Sequence, residues 1–131
     1  MRFLSLYKCP ERNTTPTPEE MARMGKLIED GMKSGNLIAT EGCLPSALGA
    51  RVRIDSGKYT VSDGPFTEAK EIVGGLAILE ASSKEAAIAY VKEFLHVMGQ
   101  GECELRQIYE AAAPCVNPED AEASRLVADH A

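Results

Sequence analysis

The densest run of reactive side-chain types is Asp63-Gly64-Pro65-Phe66-Thr67-Glu68-Ala69-Lys70-Glu71. Gly64 and Pro65 fix the backbone of a tight turn, so the Asp63 carboxylate is held rigidly near exposed backbone N–H groups. Glu68, Lys70 and Glu71 set alternating charge beside it. A rigid acidic turn at a sheet end suits a general base or a contact to a polar ligand. The plainer reading is an Asx-type hydrogen bond capping the turn, with Phe66 plugging the core; turn chemistry alone favours it. A lone carboxylate also needs burial or a charged neighbour to reach a useful pKa, and no paired base or nucleophile stands nearby in sequence. Tyr7 and Arg106, both on strand-like segments, are the groups that would orient a substrate, although Tyr7 fits a core position with a hydrogen-bonded hydroxyl better. Glu41 and Glu104 are strand carboxylates of the kind usually solvated.

Other chemistries have little to stand on. Cys9, Cys43, Cys103 and Cys115 are far apart, with no C-x-x-C and no His at ligand spacing, so no metal is expected. They read as free thiols, and only Cys9, beside Lys8, approaches a setting that would activate one. Gly74-Gly75 lacks G-x-G-x-x-G spacing, so no nucleotide or other cofactor is expected. His96 falls beside the buried stripe of its helix rather than on it, which suits a surface histidine. His130 lies in the tail. Fourteen Lys and Arg against twenty Asp and Glu give a net charge of −6, which disfavours contact with phosphate backbones. No apolar run approaches the ~20 residues of a membrane span, and no signal-like segment opens the chain. A small cytoplasmic domain is the expectation.

The elements that must position these residues are marked by local signals. Met1 to Lys8 reads as a strand with apolar groups on both faces. Thr17, Pro18 and Glu20 start a helix, along which Met21, Met24, Ile28 and Met32 recur at helical spacing until Gly35 ends it. Leu37 to Gly42 forms a second strand, and Ser46 to Gly49 a short turn. Arg51 to Ile54 and Lys58 to Val61 are the arms of a hairpin turned by Asp55-Ser56-Gly57. Ile72 to Glu80 is a central strand in which Gly74-Gly75 signals a bulge or a close backbone approach. Ser82 and Glu85 cap a second helix carrying Ala87, Tyr90, Val91, Phe94, Leu95 and Met98 on one stripe, and Glu102 to Tyr109 is the last strand.

That order, β-α-β, hairpin, β-α-β, is an α+β ferredoxin-like pattern over residues 1–110. Residues 111–131 form an Ala-rich extension in which Asn117-Pro118 suits the start of a short docked helix. Two helices cover one face of a four-stranded sheet, yet both faces of strands one and 72–80 carry apolar residues. A homodimer packed sheet to sheet would cover the rest and leave a cleft between sheet and partner.

Asp63, Gly64, Pro65, Phe66, Glu68, Lys70 and Glu71, followed by Gly74-Gly75, resemble the D-G-P-F-x-E-x-K-E signature of the DGPF proteins, a branch of the YCII-related superfamily. Tyr7 in the opening strand, Gly35, Glu41-Gly42-Cys43-Leu44-Pro45 and Glu85-Ala86 extend the resemblance over roughly residues 1–110. It implies a dimeric α/β-barrel assembly of ferredoxin-like protomers. The His near helix one and the Asp-Pro after helix two of the best-known relatives are not matched here: their places fall near Met24 and Phe94-Leu95-His96. A His–Asp proton-transfer pair does not carry over.

Three readings follow. One is a small dimeric lyase, isomerase or hydrolase with a polar-ligand cleft near Asp63, where Tyr7, Glu41, Glu68, Lys70 and Arg106 supply contacts. The second is a non-catalytic regulatory module that meets the transcription machinery through protein contacts, a role suggested by the company DGPF domains keep. In the third, Gly64, Pro65, Phe66, Gly74 and Gly75 are architectural.

Overall fold

The computed structural model describes residues 1–11 and 16–110. β1 spans Arg2–Cys9, α1 Pro18–Ser34, β2 Leu37–Gly42, β3 Ala50–Asp55, β4 Lys58–Asp63, β5 Ile72–Glu80, α2 Lys84–Met98 and β6 Glu102–Gln107, with a 3-10 turn at Ser46–Leu48. The helix expected near Asn117 lies outside the described residues. β2, β5, β1 and β6 pair antiparallel in that order into one sheet, and β3 and β4 form a separate two-stranded ribbon. This is the ferredoxin-like arrangement with an inserted arm. No helix among the described residues is long and apolar enough to cross a membrane.

Local chemistry accounts for the boundaries. The Thr17 hydroxyl accepts from the Glu20 N–H, Pro18 occupies the first turn, and Gly35 closes α1 with φ +81°. The cap of α2 sits one residue later than the spacing of Ser82 and Glu85 suggests: Ser83 accepts from the Ala86 N–H. Ser56 and Gly57 take φ of 50° and 78°, the left-handed pair that a two-residue hairpin turn requires.

Pleat alternation sorts the main sheet into two faces. Phe3, Ser5 and Tyr7 face the helices, and the buried core joins Phe3, Leu37 and Leu79 to Ala87 and Val91 of α2. The stripe of α1 is rotated from the expected one. Met21 and Met32 are exposed, whereas Ile28 packs on the core and Gly31 is the buried residue of α1. A glycine does not register as apolar in a periodicity count, yet here it is the point of closest approach. A Cβ at Gly31 would overlap the Tyr90 hydroxyl and come within 2.9 Å of Leu37 Cβ.

On the opposite face, Leu4 pairs with Ile78 and Leu6 with Leu76, all four only partly buried. Ala39 and Glu41 flank them on β2, Glu104 and Arg106 on β6. Among the described residues nothing covers this face.

Candidate functional site

A cavity of about 510 Å³ lies between the helix-facing side of the sheet and the two helices. This crevice lies inside one protomer, apart from the open sheet face on which a partner was expected. Ser5, Tyr7 and Ala77 belong to its sheet wall, Met24, Leu27 and Ile28 to α1, and Tyr90, Val91, Phe94 and Met98 to α2. Its rim is made where β1 and β2 end, at Cys9 to Glu11 and Gly42 to Pro45. The Gly pair opens this end. Lys8 pairs with Val73 and Tyr7 with Gly75, so Gly74 is the extra residue of a bulge. A Cβ at Gly74 would sit 3.2 Å from Cys9 Sγ and 3.4 Å from the Tyr7 ring; one at Gly75 would meet the Glu41 carbonyl oxygen at 2.8 Å. Of the two features read from the sequence, the bulge falls at Gly74 and the close backbone approach at Gly75.

Tyr7 is buried. Its hydroxyl donates to the Gln100 carbonyl at 2.8 Å, and its ring meets Phe94 edge-on with centroids 5.1 Å apart. It therefore faces the helices, not a partner. Thr40 donates to the Leu76 carbonyl at 3.0 Å. Burial pushes the Tyr90 phenol above its ordinary pKa, with Glu93 and Asp30 adding to the effect. Burial likewise raises the Cys103 thiol. Cys9, Cys43 and Cys103 are all free thiols. The described wall of the cavity contains no Lys, Arg or His, and Glu11 and Glu41 stand among its rim residues.

The Asp63 turn sits elsewhere. Asp63 ends β4, is exposed and lines neither this cavity nor the adjacent one of about 680 Å³. The motif around it works as a joint. Arg51 lies 3.9 Å over the Phe66 ring and pairs with Glu68, and the Gly64 N–H donates to the Gly49 carbonyl at 2.9 Å. The backbone hydrogen bond at Glu68, and then Arg51, hold the Glu68 carboxyl below its ordinary pKa. The Gly64–Pro65 peptide is cis. A Cβ at Gly64 would overlap the Ser46 carbonyl oxygen, so only glycine fits against the 3-10 turn.

Ser46, itself buried, ties this joint to the cavity rim. Its N–H and hydroxyl both donate to the Glu11 carboxylate, the hydroxyl at 2.8 Å, and the Phe66 N–H donates to the Ser46 hydroxyl at 3.3 Å. Glu11 lay in a polar loop with no motif, and nothing in sequence marked it.

Of the candidate residues, Tyr7 comes to the cavity, and Glu41 reaches its rim from a strand position on the open sheet face. Glu68 is consumed by Arg51, and Asp63 and Lys70 are exposed on the arm and its following loop. Arg106 is on the open sheet face, 3.5 Å from Glu104, which also pairs with Lys8 at 2.9 Å. His96 is exposed. No cluster of three or more metal-ligating side chains occurs among the described residues.

These features coincide with a known family. The chain matches the model of the YCII-related domain over residues 1–112 and belongs to that family. Among solved structures it is similar to 5-chloro-2-hydroxyhydroquinone dehydrochlorinase from Burkholderia phenoliruptrix AC1100, in complex with 2,5-dihydroxybenzoquinone. Identity is 16%, with 85% of this chain and 96% of that chain covered and a TM-score of 0.44. No curated protein matches the chain.

Proposed function

We propose that this YCII-related protein binds a neutral, largely apolar small molecule in the cavity between sheet and helices. The observation that carries the reading is the wall: about 510 Å³ lined mainly by apolar and aromatic side chains, with a few polar groups and no cation among the described residues. Pockets of this size and make-up hold small organic ligands, and their few polar groups set orientation. An anion entering it would lose its hydration with no positive partner among the described residues, and would pass Glu11 at the rim. The reading moves the site away from Asp63 and changes the ligand from polar to mainly apolar. The Asp63-Gly64-Pro65-Phe66 motif supports placement in the DGPF branch. The open sheet face, with Leu4, Leu6, Leu76 and Ile78, supports a homodimer in which a second copy covers it.

The test uses two fluorescent probes of similar shape, neutral N-phenyl-1-naphthylamine and its sulfonated relative 8-anilinonaphthalene-1-sulfonate. The neutral probe should brighten on binding and raise Tm with its concentration. Filling the cavity floor with Ala77→Leu should weaken that binding while far-UV circular dichroism stays unchanged. Tighter binding of the sulfonate, or binding insensitive to Ala77→Leu, would rule the reading out.

A further inference from the structure

We propose that Thr40 is the specificity-determining residue of this cavity: its hydroxyl oxygen accepts a hydrogen bond from a neutral alcohol or phenol. A ligand of the same shape that can only accept is disfavoured. The inference rests on the cavity reading above and narrows its ligand class. Thr40 pairs with Ala77 across β2 and β5, and Ala77 pairs with Ser5 across β5 and β1. The three lie in one row on the helix-facing side of the sheet, and all three line the cavity. The middle of that row is a methyl group, so the Thr40 and Ser5 hydroxyls are polar points on either side of an apolar floor.

A hydroxyl has one proton to give and two lone pairs. In both cases the proton is committed to the protein. Thr40 Oγ1 donates to the Leu76 carbonyl at 3.0 Å, and the Ser5 hydroxyl donates to the Cys103 sulfur, which opposes the rise that burial causes in that thiol. The two tyrosines direct their hydroxyls elsewhere: Tyr7 donates to the Gln100 carbonyl, and the Tyr90 oxygen lies against Gly31. Neither Gln100 nor Gly31 lines the cavity. At the rim the Cys43 N–H donates to the Gly74 carbonyl at 2.9 Å. No Lys, Arg, His, Asn, Gln or Trp lines the cavity among the described residues, so the described side chains bring no N–H donor to it. Its floor offers a guest lone pairs.

That asymmetry sorts ligands. A guest with an O–H above the Ala77 methyl adds a hydrogen bond to Thr40 and breaks none. A carbonyl or ether oxygen in the same place gains a bond only if Thr40 turns its proton away from Leu76, which exchanges one bond for another. Otherwise lone pairs face lone pairs where little water can intervene. One neutral hydrogen bond, counted net, corresponds to about tenfold in affinity. The β-branch of Thr40 restricts its rotamers and the Leu76 bond holds it in place, so the acceptor is set before the ligand arrives.

The test is titration calorimetry of the full chain with three neutral probes of one ring system. 1-Naphthol donates, 1-methoxynaphthalene only accepts and 1-methylnaphthalene does neither. 1-Naphthol should bind about tenfold more tightly than 1-methoxynaphthalene. Thr40→Val keeps the shape and the strand preference but lacks the oxygen, so it should erase that advantage and leave 1-methylnaphthalene binding unchanged. Thr40→Ser keeps the hydroxyl and should retain the advantage. Ala77→Leu should weaken all three probes, which ties their binding to this cavity. If 1-methoxynaphthalene binds wild type as tightly as 1-naphthol, or the preference survives in Thr40→Val, the assignment is overturned and the apolar cavity stands. If no probe binds, or Ala77→Leu changes nothing, the cavity reading fails and takes Thr40 with it. Thr40→Ala also lacks the oxygen and gives the same decision should circular dichroism show that the valine variant does not fold.

Discussion

The two glycines inside α1 should respond to alanine with opposite signs. Gly25 is exposed, and a Cβ there meets nothing within 4 Å. Gly25→Ala therefore gains only the helix preference of alanine, about 0.5–1 kcal/mol. Gly31 gains the same preference, but its new methyl overlaps the Tyr90 hydroxyl and comes within 2.9 Å of Leu37 Cβ, in the packed seam between α1, β2 and α2. Overpacking of this kind costs about 1–3 kcal/mol, so the net effect is a loss of about 1 kcal/mol. Urea unfolding is the assay, with unchanged m-values showing that stability alone has moved. Tyr90→Phe removes the nearest obstacle and leaves the ring carbon at 3.3 Å and Leu37 Cβ at 2.9 Å. In that background the penalty for Gly31→Ala should shrink by about 0.5 kcal/mol or more, a coupling typical of side chains in contact. If Gly31→Ala is as stable as Gly25→Ala, or Tyr90→Phe gives no relief, the seat of the Tyr90 hydroxyl is misplaced and the shape of the cavity wall with it.

Ser46→Ala removes a hydroxyl that serves Glu11 and the Phe66 N–H, and the site is buried. It should lower stability by about 2 kcal/mol and speed exchange of the Phe66 amide, read by native-state hydrogen exchange. Lys8 holds the Glu104 carboxyl below its ordinary range, and Glu104 in turn raises Lys8. The Glu104 contribution is present above about pH 4.3 and fades as pH falls through its lowered folded value; that of Lys8 is present below about pH 10.4 and fades as pH rises through its raised value. Lys8→Met should therefore cost a small amount of stability that is largest at mid-range pH, with the Glu104 carboxyl titrating higher by NMR; an unmoved Glu104 titration refutes the pairing.

The order of elements was legible in sequence because caps and turns are local. Thr17, Gly35 and Ser56-Gly57 each act within four residues. Their chemistry does not depend on the rest of the fold. The slip from Ser82 to Ser83 belongs to the same class, since two adjacent serines offer nearly equal caps and the entry geometry from β5 selects between them. The faces of α1 were less legible. Counting methionines put Met21 and Met32 inward, but helix contact is set by how closely backbones approach, and Gly31 allows that approach without adding to any apolar count. The cavity was not legible at all. It arises from what Met24, Phe94 and Met98 fail to fill, and a void leaves no pattern in a chain. Asp63 drew attention because Gly and Pro make a turn conspicuous, while Glu11 reaches Ser46 across 35 positions from an unremarkable loop.

The joint at Gly64 separates pedigree from ligand choice. Its glycine is demanded by the Ser46 carbonyl, its phenylalanine by the Arg51 guanidinium and its glutamate by the same cation, so the motif marks a way of attaching an arm to a sheet. On the proposed reading of the cavity, selectivity would reside instead among side chains such as Leu27, Ile28 and Val91, each exchangeable for another hydrocarbon of similar bulk at modest cost. Two proteins can thus carry the same D-G-P-F turn and receive differently shaped guests, and a guest found for one is no guide to the other until these side chains are compared.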